Sequence, residues 1–243
     1  MMLPIVIASI GIIAVIGFHS LRRLVFRQAE KALLTTKPNG KEVQTDVGLN
    51  YEPLAIASGE RRLQGWLVGP TPAKDAQKAI LIFHGRYECI SEWIPVQHFL
   101  WEHGIASMVF DYSGFGDSTG SASVANLRQF DGVILIAAYT SARDAAVQTG
   151  TLPRWLTFIV PDMYNNVRMI QRVHNPLLII HSRDDQVFPV TMGEKIFAAA
   201  NDPKYMAVLE GLKHNDILEG QAAAYLSPIP GFLGLTCEPS QET

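Results

Sequence analysis

The chain has 243 residues, 48% of them hydrophobic and 18% charged, with a formal net charge of −3. That length and apolar content supply the core of one sizeable α/β domain, and the slightly acidic balance gives no electrostatic basis for a nucleic-acid partner. Cys89 and Cys237 are too few for a disulfide framework, and no Cys/His cluster predicts a metal site.

The first 18 residues, MMLPIVIASIGIIAVIGF, carry no charged side chain. As a helix they reach about 27 Å, close to the roughly 30 Å hydrocarbon core of a bilayer. A cleaved signal peptide would have a basic start and a small-x-small cleavage site, and neither is evident. A helix buried in a globular core would show some polar interruption. The run therefore predicts a membrane anchor over residues 1–21 that contacts lipid. Arg22, Arg23, Arg27 and Lys31 follow it and no Lys or Arg precedes it, which places the rest of the chain on the cytoplasmic side of a single span. Leu21, Leu24, Val25, Ala29, Ala32 and Leu33 recur at helical spacing between those cations. Residues 22–41 thus read as a basic helix, lying along the headgroups or docked on the domain, followed by a linker at Pro38-Asn39-Gly40.

Residues 51–57 and 62–68 read as two strands joined at Ser58-Gly59-Glu60. Residues 79–83 form a continuous apolar run, expected to be a strand buried on both faces. Ser91 is positioned to cap a helix ending at Glu102, with Pro95 in its first turn and Gly104 as its stop. Residues 105–110 form the next buried strand, followed by a Gly-rich loop over 111–120. Residues 123–129 resemble the start of a helix, and 133–137 are apolar again. A helical excursion spans roughly 140–173, then come a strand at 177–180, a helix at 192–200 and a strand at 205–209. Strands alternating with helices predict a mostly parallel sheet with helices on both faces. In such sheets functional groups gather beyond the carboxyl ends of the strands, and His84, Asp111, Asp185 and His214 all fall there.

The stretches FHG (83–85), FDYSGFGDSTG (110–120), LIAAYTSARDAA (135–146), PLLIIHSRDDQVFP (176–189) and EGLKHND (210–216) occur in the order found in α/β-hydrolases. The chain resembles the membrane-anchored serine-aminopeptidase-like or lysophospholipase-like branch of that superfamily. The resemblance covers most of residues 50–220 and implies a hydrolase domain over 42–225 with a C-terminal tail over 226–243. It implies that Asp185 is the triad acid and His214 the base, and that Arg86 supplies a backbone N–H to the oxyanion hole. It implies no metal or organic cofactor and a small acyl or peptide substrate. A monomer is expected.

The third triad member is the difficulty. In the family a helix, a strand, the nucleophile elbow and a second helix separate the Gly-rich loop from the next strand. Here only residues 117–132, 16 in all, lie between Gly116 and Val133. A helix–strand–helix unit needs about 30 or more residues. The central elbow strand is therefore expected to be missing, with the break between Gln129 and Phe130. The flanking strands must then pair directly, or the sheet must split and leave two edges. Gly116-Asp117-Ser118-Thr119-Gly120 does match G-x-S-x-G. However, the strand before it stops near Tyr112, and an elbow needs a strand running straight into the motif.

The expected activity is therefore that of a serine-hydrolase relative, for acyl ester or amide bonds, inactive for want of a nucleophile. The alternatives are a membrane-tethered, non-catalytic ligand-binding protein and an active hydrolase using Ser118. Trp155, Leu156, Phe158, Ile159, Val160, Met163 and Tyr164 in the excursion read as ordinary core, or else as an acyl pocket or membrane-facing cap.

Overall fold

Alternating apolar and polar positions at 51–68 fold as a hairpin. In the computed structural model β1 (Tyr51–Ser58) and β2 (Arg61–Val68) pair antiparallel, with Ser58 opposite Arg61. The structure describes residues 15–24, 48–49, 51–58, 60–69, 78–85, 88–112, 115–119, 131–158 and 164–234. β2 pairs antiparallel with β4 (Ala106–Phe110), which pairs parallel with β3 (Ala79–Ile82). This gives a four-stranded sheet in the order β1-β2-β4-β3. A second sheet is wholly parallel: β5 (Val133–Ile136), β6 (Leu177–Ser182) and β7 (Lys204–Leu209).

The expected choice between direct pairing and a split is thus resolved as a split. β3 ends one sheet and β5 begins the other, with no ladder between them. The consequence is visible in their burial. The sequence reading expected residues 79–83 to be buried on both faces, but Ala79 is exposed, Ile80 and Leu81 are half-buried, and only Ile82 is buried. Every residue of β5 is half-buried. β6, which has a neighbour on both sides, is buried throughout. β3 and β5 carry central-strand sequences in edge-strand positions.

One apolar cluster nevertheless spans both sheets. Trp66, Ile82 and Val109 from the first and Leu178 and Ile180 from the second pack with α1 (Ile94–Glu102), and Ile80, Ile134 and Ile136 lie against them. Each such buried aliphatic side chain contributes about 1.5–3 kcal/mol, enough in sum to hold the half-sheets together without a shared ladder. Helix α2 (Ala142–Gln148) follows β5, and a smaller cluster lies on the other side of the second sheet, where Leu177 and Ile179 meet Ile170 of α3 (Asn166–Ile170) and Ile196 of α4 (Val190–Ala199).

Several boundaries differ from the sequence reading. The helix predicted to start at Ser91 is preceded by a 3-10 turn, Ile90–Trp93, whose N-cap is Cys89, and Glu92 reaches back to accept from the Cys89 N–H at 3.1 Å. Pro95 and Gly104 stand where expected, in the first turn of α1 and, at φ +69, just beyond its end. Of the expected C-terminal tail, residues 226–234 are described. α5 (Ala222–Leu226) and α6 (Pro228–Phe232) are helical, and Tyr225, Leu226 and Ile229 are buried in the main cluster. Pro228 opens a helix here instead of breaking one. Trp155 and Phe158 are 74% and 62% exposed, which removes both from the expected core.

Residues 15–24 are helical and mostly exposed. Among the described residues no helix is long and apolar enough to cross a membrane. Residues 1–14 of the expected anchor, residues 25–41 of the expected basic helix and linker, the helix expected at 123–129, and Arg86 lie outside the described residues.

Candidate active site

The second sheet delivers an acid and a base from adjacent strand ends. β6 runs into Arg183-Asp184-Asp185, and β7 into Glu210-Gly211-Leu212-Lys213-His214. Three bonds lash these loops together. The Arg183 N–H donates to the Leu209 carbonyl at 2.8 Å, the Ser182 hydroxyl to the Leu212 carbonyl at 2.5 Å, and the Gly211 N–H to Asp184 Oδ2 at 2.7 Å. Gly211 sits at φ +73, a conformation that favours glycine, so the chain can turn back there. Asp184 is thereby a brace between loops, and Asp185 is free to face His214.

His214 Nδ1 lies 2.8 Å from Asp185 Oδ2. The Asp185 side chain is fully shielded, whereas that of His214 is 24% exposed. Asp185 Oδ1 accepts the Val187 and Phe188 N–H groups, each at 2.8 Å. Burial alone would push this carboxyl up. The hydrogen bonds from His214, Phe188 and Val187 and the charge of His214 outweigh it and hold the group below the ordinary carboxylate value. An ionised Asp185 accepts from Nδ1–H, so the imidazole presents its Nε2 lone pair outward, as a general base requires. The Phe188 ring meets the His214 ring edge-on with centroids 5.1 Å apart, and Tyr139 packs behind Phe188.

One residue given no role from sequence supports this pair. His181 is fully buried; its Nε2 lies 2.9 Å from the Phe188 carbonyl and 3.7 Å from Asp185 Oδ2. It clasps the loop that carries Asp185. A Cβ on Gly193 of α4 would come within 2.7 Å of His181 Nδ1, so glycine is what allows the helix to pass the ring. The usable signal was spacing, since His181 stands four residues before the acid. Tyr225, buried in the main cluster, feels the charge of Asp185. Burial and then the charges of Asp185 and Asp216 push its phenol up to about 12.

The first sheet contributes a different cluster. His84 and Asp111, at the ends of β3 and β4, are both buried, with Nε2 and Oδ1 3.4 Å apart. Asp111 Oδ1 also accepts the Ile90 N–H at 3.0 Å. The Tyr112 hydroxyl donates to the His84 carbonyl at 2.9 Å, and its ring lies 4.3 Å from the imidazole. Burial first, then the charges of Glu88 and Tyr139, push the Tyr112 phenol well above its ordinary value. The Gly85 N–H donates to Glu88 Oε2 at 2.6 Å. These groups fix the loop ahead of α1.

Ser118 is not beside His214. Its hydroxyl donates to the Asp111 carbonyl at 2.8 Å and accepts the Gln64 N–H at 2.9 Å, and it is buried. The G-x-S-x-G match is a loop that ties β4 back to β2; Thr119 repeats the tie through the Arg62 N–H at 2.8 Å. Among the described residues, no serine, threonine or cysteine hydrogen-bonds to the His214 ring. A surface depression of about 540 Å³ lined by Thr140, Asp144, Asn165, Val167 and Lys195 includes neither Asp185 nor His214.

No protein-family model matches the chain. A protein of Mycobacterium tuberculosis strain H37Rv is 35% identical over 113 residues, 44% of this chain, so the chain spans 40% of that relative's length. YfhR of Escherichia coli K12 is 26% identical over 198 residues, covering 64% of this chain and 70% of YfhR. Because 64% of 243 residues is about 156, about 42 of those 198 aligned positions face no residue of this chain. The esterase Pf2001 of Pyrococcus furiosus superposes with a TM-score of 0.67 at 14% identity, over 83% of this chain and 97% of the esterase. The chain has the α/β-hydrolase fold.

Proposed function

We propose that this protein is a membrane-tethered relative of serine hydrolases that keeps the acid and base of the triad and does not turn over esters or amides. The observation that carries the reading is a buried Asp185 hydrogen-bonded to His214, with no hydroxyl or thiol on the imidazole among the described residues. A triad without its nucleophile cannot form the acyl-enzyme on which this chemistry depends. The split between β3 and β5 supports the reading, because that is where an elbow strand belongs. So do the 16-residue interval and the roughly 42 unmatched positions in the alignment with YfhR.

The ligand class the site suits is a small acyl or peptide compound, held near His214, Phe188 and Tyr139. Nothing in the reading calls for a metal or organic cofactor. The apolar run 1–18 holds the protein to the membrane as a single span, and the cations at 22–31 keep the globular part cytoplasmic.

Turnover of a p-nitrophenyl acyl ester series by the purified protein and by His214→Gln tests this directly. Both are expected at the uncatalysed rate. Turnover that depends on His214 would overturn the proposal.

A further inference from the structure

Three helix segments meet around the depression of about 540 Å³: the first turn of α2, the first turn of α3 and the second half of α4. Each residue that lines it is among the described residues, and none belongs to the Asp185–His214 site. A volume of that size lies within the range of about 300–1,000 Å³ typical of small-molecule sites.

Two side chains of opposite charge line it, Asp144 from α2 and Lys195 from α4. The hydroxyl of Thr140, only 3% exposed, donates to Asp144 Oδ2 at 2.5 Å and so fixes the carboxylate. Asp144 Oδ1 and the Lys195 ammonium have no partner among the described residues, and the two side chains make no ion pair with each other. Asn165 is committed to its own helix, where its Oδ1 accepts the Arg168 N–H at 2.9 Å. The rest of the lining, Val167, Ala198 and Ala199, is aliphatic. Charge decides what fits. An anion drawn to Lys195 meets the Asp144 carboxylate, and a cation drawn to Asp144 meets the Lys195 ammonium. A neutral apolar molecule strips water from both charges and replaces it with nothing. A molecule with one charge of each sign offsets both.

We infer that the depression binds a small aliphatic zwitterion, its ammonium at Asp144 Oδ1, its carboxylate at the Lys195 ammonium and its hydrocarbon body over Val167, Ala198 and Ala199. A free apolar amino acid and an apolar dipeptide share that chemistry. Neither Asp185 nor His214 takes part, so the site is separate from the triad remnant. Asp144 and Lys195 are both exposed, so the ion pairs they make are weak and Kd falls in about the millimolar range.

The probes are L-leucine and L-alanyl-L-leucine, titrated into the full chain in detergent and followed by saturation-transfer difference NMR. Saturable binding of at least one is expected, and the ratio of the two Kd values tells which of the amino acid and the dipeptide fits better. Blocking the carboxylate of the tighter probe as its amide, or its ammonium by acetylation, is expected to weaken binding about two- to fivefold each, the contribution of one exposed ion pair. Lys195→Gln is expected to erase the first difference and Asp144→Asn the second. Both positions are exposed, and asparagine still accepts from Thr140, so the unfolding midpoint of either variant should match the parent. Absence of saturable binding by both probes would overturn the inference. So would blocked analogues that bind as tightly as the parent probe, or variants that keep the parent's preference. None of these readings involves ester turnover, so this site and the proposed loss of activity fail separately.

Discussion

Replacing Asp185 with alanine isolates what the buried carboxylate does for the fold. The substitution removes the acceptor for two loop N–H groups, Val187 and Phe188, both bonded at 2.8 Å, and the partner of His214. An N–H left unsatisfied costs about 1–3 kcal/mol, so two of them place the loss at about 2–6 kcal/mol. For a domain of this size, at about 2–4 °C per kcal/mol, that corresponds to a fall of about 4–24 °C in the unfolding midpoint. Asp185→Asn keeps Oδ1 as an acceptor and is expected to cost only about 1 kcal/mol. Urea unfolding of parent and both variants measures the difference. If alanine is tolerated within about 0.5 kcal/mol, or if asparagine is as damaging as alanine, the carboxylate is not the clamp of the 183–188 loop.

Four further outcomes are expected. Asp185 is held below its ordinary value of 3.8, so its contribution is present above about that pH and is lost as pH falls through the lower folded-state value. Acid titration of stability should therefore show a loss below about pH 4 in the parent that Asp185→Asn lacks, and identical acid limbs would contradict this. Ser118→Ala removes bonds to the Asp111 carbonyl and the Gln64 N–H and should cost about 1–3 kcal/mol in urea; an unchanged midpoint would return Ser118 to the list of candidate nucleophiles. Gly193→Ala drives a Cβ to 2.7 Å from a fully buried His181 ring and should cost about 1–3 kcal/mol, a value that stability within about 0.5 kcal/mol of the parent would exclude. Removal of residues 1–18 should move the protein from the membrane pellet to the supernatant on ultracentrifugation, and continued pelleting of the folded protein would refute the anchor.

Much of the candidate site was legible because strand ends are legible. A run such as LLII followed by HSRDD has one physical reading, a buried strand that stops where charge begins. The juxtaposition of Asp185 with His214 follows from two such strands lying side by side. A shortfall was legible by arithmetic, since 16 residues cannot hold a helix–strand–helix unit, but direct pairing and a split remained equally open. The effect of the split on β3 and β5 was not legible. Apolar composition reports what a strand was built to pack against, not whether that neighbour is there. The two C-terminal helices are five residues each, too short to carry a helical period, and Pro228 stands in the first turn of the second, where proline is compatible with a helix. Of the readings open for Trp155 and Phe158, ordinary core fails, because aromatic content alone does not distinguish core from surface. His181 was visible by its spacing from Asp185, but spacing assigns no role; its 2.9 Å contact with the Phe188 carbonyl shows what it does.

The central claim is that His214 has nothing to activate. Intact-mass measurement after exposure to excess fluorophosphonate reads this directly, because a triad serine is converted to a stable adduct whatever its natural substrate. The account predicts an unshifted mass for the full chain. A stoichiometric adduct on a single serine, abolished by His214→Gln, would contradict it.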